Sequence, residues 1–282
     1  MLKIAVPNKG SLSEVSIKLI KEAGYKCRRD GRELTLTDVD NNVEFYFLRP
    51  RDIAIYVAKG IMDVGITGKD LVADSEAAVV ELLSLGIGKS RFFYAVPKES
   101  ELTPDEFDGV RIATSYPNIV KSDMQRRGLT SEIIKLDGAV EISVKLGVAD
   151  VIADVVESGK TLVAAGLRTV GEPIMKSEAA VFCRNRELLN RREVGLFIER
   201  LRGIIVAREY KMIEYDVLEE SLERACGLTP GIESPTVSPL SKKGWIAVKA
   251  MISRKQVNSV MDDLTELGAK GIIVTDIHTC RL

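Results

Sequence analysis

The hydrophobic positions along the first 90 residues change period repeatedly, from two to about 3.6 and back. KIAVP is a short apolar run. SLSEVSIKLIKEAG then spaces its apolar residues three and four apart and closes at Gly24, the signature of a helix. LTLTD and VEFYFL alternate as strands do, RDIAIYVAKG returns to the helical period and stops at Gly60, and MDVGIT leads as a strand into the helix start GKDLVADS. Strands alternating with helices predict a mostly parallel, doubly wound sheet. The pattern restarts near residue 91: RFFYAVP, GVRIATS, SEIIKLD and DVIADVV read as strands, YPNIVKSDMQRRG and GAVEISVKLG as helices. EAAVFCR, residues 178–184, reads as a strand that crosses back to the first lobe. EVGLFIERLRGIIVA places Val194, Phe197, Ile198, Leu201, Ile204 and Ile205 on one helical face.

The tail follows a different order. KMIEYDV, LEESLERACG, SPTVSPL, GWIAVKAMI, a helix carrying Val257, Val260, Met261, Leu264 and Leu267, and GIIVTDI give β-α-β-β-α-β, the ferredoxin-like split unit. The expected organisation is α/β throughout: lobe I over 1–90, completed by about 180–205, lobe II over 91–179, and a small domain over 208–282.

Candidate chemistry sits where strands hand over to helices. In DVVESGKTL, residues 154–162, Gly159 falls in the turn and Thr161 at the following helix start. Free main-chain amides there suit a phosphate dianion, with hydroxyls of Ser158 and Thr161 beside them. Asp154 ends the strand, where open α/β sheets place ligands. A plain turn, with Ser as helix cap and Gly for a positive φ, fits the same residues. No Gly occupies position 154, so the segment is no Walker loop. Lys9 in PNKGSLSE, Arg49 and Arg51 in RPRD, Asp70 in TGKDL, Tyr116 in SYPN and Glu141 in DGAVE occupy further junctions. Each has a bland counterpart: a solvated lysine, ordinary helix initiation, a helix-dipole carboxylate, a half-buried tyrosine. Jointly, at least five such junctions facing one interlobe cleft suit a ligand with several phosphates.

Composition narrows the chemistry. Lys plus Arg number 40 against 41 for Asp plus Glu, so no global field draws in nucleic acid or a membrane surface and any anion site is local. His278 is the only histidine, which disfavours histidine metal sites and a Ser-His-Asp triad. Cys27, Cys183, Cys226 and Cys280 form no C-x-x-C pair. Lacking a signal-peptide pattern or an apolar run of spanning length, the chain is expected in the cytoplasm.

The spaced pattern E-x5-G-x-A-x2-I-x-D-V-x2-S-G-x-T-L runs from Glu141 through Gly147, Ala149, Ile152, Asp154, Val155, Ser158, Gly159 and Thr161 to Leu162. It resembles the motif of the ATP phosphoribosyltransferase family. VPNKGSL, LRPRDI, GITGKDL and LDGAVEISVKLGVADVIADVV extend the likeness, and GIESPTVSPL with GAKGIIVTDIHTCRL resembles the tail of the long form. The resemblance implies two lobes arranged as in periplasmic binding proteins plus a ferredoxin-like regulatory domain. It implies transfer of the phosphoribosyl group of phosphoribosyl pyrophosphate (PRPP) to N1 of ATP, with Mg²⁺ accompanying the pyrophosphate. Lys9, Arg51 and Asp154 are then the catalytic groups. Asp154, Val155, Glu157, Ser158, Gly159, Lys160, Thr161 and Leu162 hold PRPP, and Arg49, Asp70, Leu71 and Tyr116 face ATP. The long form further implies inhibition by L-histidine, held by Asp216, Ile232, Ser234, Thr236 and Gly271 between neighbouring subunits, and homodimers assembling to hexamers. A non-catalytic bilobal binding protein is the chief rival; a repressor would need a DNA-reading module, and none stands out.

Overall fold

The computed structural model describes residues 1–28, 33–156 and 159–281. In chain order the elements are β1 (Leu2–Pro7), α1 (Ser11–Glu22), β2 (Thr35–Asp38), β3 (Val43–Leu48), α2 (Pro50–Ala58), β4 (Val64–Gly68), α3 (Lys69–Ser75), β5 (Val80–Ser84), β6 (Ser90–Pro97), β7 (Arg111–Thr114), α4 (Pro117–Arg127), β8 (Glu132–Lys135), β9 (Val151–Val156), α5 (Lys160–Ala164), β10 (Leu167–Ser177), β11 (Ala179–Cys183), α6 (Arg192–Glu209), β12 (Tyr210–Leu218), α7 (Leu222–Leu228), β13 (Thr236–Pro239), β14 (Trp245–Ser253), α8 (Val257–Glu266) and β15 (Lys270–Asp276). Contacts divide the chain into two units inside α6, between Ile198 and Glu199, with Glu22–Gly24 grouped with the second.

The first unit holds two sheets. One has the order β2-β3-β1-β4-β11-β5, the other β10-β6-β9-β7-β8. The inner strands β3, β1 and β4 run parallel, as do β8, β7 and β9, so each sheet has one carboxyl edge to which its turns deliver side chains. β11 comes back antiparallel between β4 and β5, with Ala179 opposite Gly68. The chain therefore passes twice between the sheets, before β6 and after β10. β4 is buried at every position, as a strand covered on both faces should be. Gly65 leaves space for α2 to lie on the sheet: a Cβ there would fall 2.9 Å from Val57 Cγ2 and closer still to Ile53. The second lobe packs Phe92, Tyr94, Ile119 and Met124 on one sheet face, and Ala95, Ile152, Val156 and Leu162 on the other.

In the second unit, the order β13-β14-β12-β15 is fully antiparallel, with Ile213, Tyr215, Val217, Val248 and Leu264 in the core. This is the β-α-β-β-α-β arrangement expected of the tail.

Three sequence expectations need correction. GAVEISVKLG is no α-helix: it makes one 3₁₀ turn at Val140–Ile142 and then irregular turns. Ala139 there is left-handed, with φ 50°, and the Ser143 hydroxyl donates to the Val140 carbonyl at 2.6 Å, a local bond that competes with helical pairing. Two strands escaped the pattern. β5 follows α3 after an abrupt left-handed stop at Glu76, and β10 is interrupted by an irregularity between Val170 and Met175 that destroys its alternation.

Candidate active site

The cleft edge of the first lobe carries three turns. Lys9 lies exposed between β1 and α1, Arg49 caps α2 with extended backbone and is also exposed, and Arg51 follows in the first turn of α2. The third turn ends β4. Gly68 is fully buried, and a Cβ at this position would collide with Asp70 Oδ1, so glycine is what lets the Asp70 carboxylate fold back over the strand end. The Ser177 hydroxyl donates to Asp70 Oδ1 at 2.8 Å and accepts from the Asp70 amide at 3.0 Å. Asp70 is 7% exposed and fixed in place; Leu71 beside it is half-buried.

Side chains of the two lobes meet here. The Arg51 guanidinium lies 4.4 Å from the Tyr116 ring centroid, a cation–π contact of about 0.5–2 kcal/mol. Tyr116 packs edge-on against Phe92, and burial, then the nearby Asp70 carboxylate, push its phenol well above the ordinary tyrosine range. Asp74, near the end of α3, reaches α4 of the other lobe: its Oδ1 accepts the Asn118 amide at 3.0 Å, and its carbonyl accepts Asn118 Nδ2 at 2.7 Å. Its Oδ2 lies 3.3 Å from Arg51 Nη1. Asp74 thus stabilises the N-terminus of a helix in the opposite lobe. Burial still raises its pKa, against the amides of Asn118 and Ile119 and against Arg51.

The second lobe supplies the cavity. About 270 Å³ is enclosed by Glu141, Asp154, Val155, Val156, Gly159, Thr161 and Leu162. Gly159 caps α5 with φ 72° and ψ 0°, a conformation that costs a residue with Cβ roughly 1–2 kcal/mol. Its carbonyl already accepts the Val163 amide at 3.1 Å, whereas the amides of Lys160, Thr161 and Leu162 belong to a first turn that has no intrahelical acceptors. Leu162 is buried and anchors the turn; Lys160 and Thr161 are exposed. Asp154 Oδ1 accepts the Val155 amide at 2.7 Å. Burial raises the Asp154 pKa, the Glu141 carboxylate adds to the rise, and the Val155 amide and Arg51 offset part of it. Glu157 and Ser158, both expected to hold PRPP, lie outside the described residues.

Of the expected residues, Asp154, Val155, Gly159, Thr161 and Leu162 share this cavity, and Arg51, Asp70 and Tyr116 form the interlobe cluster. Lys9 and Arg49 sit on exposed turns, and neither lines the cavity. Sequence reasoning missed Asp74, Asn118 and Ser177, whose partners lie 44 and 107 residues away. In the second unit, Asp216 on β12 stands near Gly271 on β15, whose Cβ, were there one, would lie 3.7 Å from Asp216 Oδ2. Ile232, Ser234 and Thr236 are exposed beside or on β13, at the opposite edge of the sheet from the β15 strand that carries Gly271 and separated by β14 from the β12 strand that carries Asp216. Among the described residues, no cluster of three or more His, Cys, Asp and Glu could hold a metal ion, and no helix is long and apolar enough to cross a membrane.

This pairing of an amide-rich turn with two carboxylates suits a phosphorylated sugar. The profile of the family described as "HisG: ATP phosphoribosyltransferase" matches residues 49–203, and that of "HisG, C-terminal domain" matches residues 207–279. ATP phosphoribosyltransferases of Salinibacter ruber and Corynebacterium jeikeium are 59% and 52% identical to the chain, each over 100% of both sequences. A chain of the solved ATP phosphoribosyl transferase (HisG:HisZ) complex from Thermotoga maritima superposes with a TM-score of 0.65 at 29% identity, covering 73% of this chain and 99% of that one. The class is therefore a glycosyltransferase that moves a pentosyl group. The chain belongs to the ATP phosphoribosyltransferase family, in the long form with a C-terminal domain, whose reaction transfers the phosphoribosyl group of PRPP to N1 of ATP as the first step of histidine biosynthesis.

The raised pKa of Asp154 has a sign that can be checked. The folded state holds this proton more tightly than the unfolded chain, so the stability contributed by the site is lost as pH rises from the ordinary value of 3.8 through the raised value, and stays lost above it. Asp154→Asn removes this loss. The variant should gain on the wild type by up to about 1.4 kcal/mol for each pH unit the window spans, read by denaturant unfolding at a series of pH values. A difference that does not change with pH contradicts the assignment.

Proposed function

We propose that PRPP binds on the second lobe, with its 5′-phosphate on the amides of Lys160, Thr161 and Leu162, its ribose hydroxyls on Asp154 and Glu141, and its C1 facing the first lobe. The convergence of Asp154, Glu141, Gly159 and Thr161 on one cavity supports this reading most strongly. Val155 lines the same cavity, and Glu157 and Ser158 belong to the proposed site by the sequence motif alone. ATP lies against the interlobe cluster, with Tyr116 offering a ring face and Asp70 an acceptor for the exocyclic amine; Arg49 and Leu71 flank it. Lys9 and Arg51 turn cationic donors towards the pyrophosphate. Arg51 can do so only by leaving Asp74, a contact kept weak by the 45% exposure of its side chain.

The reaction asks for no side-chain nucleophile. As the C1–O bond loosens, positive charge develops on the ribose and negative charge on the leaving pyrophosphate. Holding N1 opposite that bond is worth roughly 7–11 kcal/mol, and fixed donors stabilise the separated charge. A chain with one histidine, His278, loses nothing by this. Mg²⁺, carried mainly by the pyrophosphate, would neutralise charge on the leaving group. Glu141 and Asp154 suit an ion that keeps most of its waters and takes one or two protein carboxylates.

The C-terminal unit is read as the regulator. L-histidine would lie between units of neighbouring copies, with Asp216 of the inner strand β12 and Gly271 of the edge strand β15 from one copy, and Ile232, Ser234 and Thr236 beside or on β13 from another. Gly271 on the edge strand β15 and Thr236 on the opposite edge strand β13 support a site completed by a second chain; a homodimer that assembles further to hexamers is what the long form implies. Inhibition then requires two quaternary states with different affinities for histidine. A cytoplasmic location is inferred from the family's biosynthetic reaction.

Two outcomes follow for the absorbance assay of phosphoribosyl-ATP with PRPP, ATP and Mg²⁺. Thr161→Val should raise the KM for PRPP roughly tenfold, the cost of a hydrogen bond to a charged oxygen, while the KM for ATP holds; an unchanged PRPP value removes the phosphate assignment. Asp216→Ala should shift the histidine inhibition curve at least tenfold to higher concentration with kcat preserved. Intact inhibition refutes the placement.

A further inference from the structure

A second concave site lies beside the phosphate turn, and its basic residues Lys89, Arg91 and Lys176 have no role above. About 440 Å³ is bounded by Lys69, Lys89, Ser90, Arg91, Val156, Lys176, Ser177 and Glu178, within the range of small-ligand pockets. It sits where the chain passes between the two sheets and shares Val156 with the cavity that holds Asp154.

Its charges are unusual for a strand pair. Arg91 on β6 and Lys176 on β10 are direct cross-strand partners, and both are exposed. Like charges directly opposite each other on an antiparallel pair destabilise it. Lys89 precedes them on the same wall. Among the described residues, no carboxylate pairs with Lys89, Arg91 or Lys176; the Arg91 guanidinium instead rests over the Phe93 ring, 5.4 Å from its centroid. The one acid in the lining, Glu178, is already engaged: Lys69 Nζ lies 3.3 Å from Glu178 and 3.0 Å from Glu81, and donates to Ser84 at 2.7 Å. Among the described residues, three cations therefore stand around one hollow without a paired carboxylate, with the Ser90 hydroxyl beside them as a neutral donor. A concave wall of one sign concentrates counter-ions, and Lys and Arg together suit phosphoryl oxygens.

We propose that this pocket is a second anion site, distinct from the PRPP cavity, which takes a compact polyphosphate: free pyrophosphate or the polyphosphate tail of a nucleotide. The ligand resolves the repulsion between Arg91 and Lys176, which no described carboxylate compensates.

The test is binding of inorganic pyrophosphate to the full chain in the presence of saturating PRPP and without ATP, so that the PRPP cavity is filled and nothing turns over. The expected result is one pyrophosphate per chain, bound at least tenfold more weakly by Lys176→Glu and by Lys89→Gln. Turnover with PRPP and ATP, measured separately, reports whether the PRPP cavity is intact. Lys176→Glu converts the Arg91 repulsion into attraction, so its melting temperature without ligand should equal or exceed that of the wild type. Displacement of the bound pyrophosphate by UTP, which lacks the purine acceptor, identifies a nucleotide tail as the ligand; failure to displace it identifies free pyrophosphate. Absence of pyrophosphate binding under saturating PRPP, or affinity unchanged in both variants, overturns the proposal.

Discussion

The pairing of β11 with β4 fixes where the chemistry can be. Ala179 stands opposite Gly68, and the Lys69 amide donates to the Glu178 carbonyl at 3.0 Å, so the strand returning from the second lobe is bonded to the very turn that bears Asp70. From that register follow the contact of Ser177 with Asp70, the burial of a carboxylate at the strand end, and the approach of Tyr116 and Arg51 from opposite lobes. A slip of one residue would turn every side chain of β11 to the other face of the sheet and carry Ser177 away from Asp70.

Much of this was legible in the chain. Parallel strands such as KIAVP and MDVGIT announced themselves as apolar runs followed by helical periodicity, because each is covered on both faces. The Glu141-to-Leu162 pattern marked the turn proposed to hold the phosphate, because a backbone shape demands particular residues: Gly159 for a positive φ and an apolar anchor at Leu162. The tail showed its split unit because the helical stripe Val260–Leu264 and the alternation of GWIAVKAMI face one small core.

What stayed hidden has a common physical cause. Asp74 and Asn118 look like ordinary helix-end polar residues, and their mutual bonds exist only once two lobes meet across 44 residues of chain. Ser177 bonds a group 107 residues away. β10 lost its alternation to the irregularity after Val170, and GAVEISVKLG kept a helical spacing that Ala139 in the left-handed region and the side-chain bond of Ser143 prevented from being used. Local pattern reports burial; it does not report which distant group a polar side chain answers.

The account rests on main-chain amides at the head of α5 receiving the sugar phosphate, with Asp154 and Glu141 on the ribose. The most direct measurement is a crystal structure of the enzyme with PRPP bound. The account predicts phosphate oxygens within hydrogen-bond distance of the amides of Lys160, Thr161 and Leu162 and of the Thr161 hydroxyl, with ribose hydroxyls on Asp154. Density for the phosphate elsewhere in the cleft, with that turn bare, would contradict it.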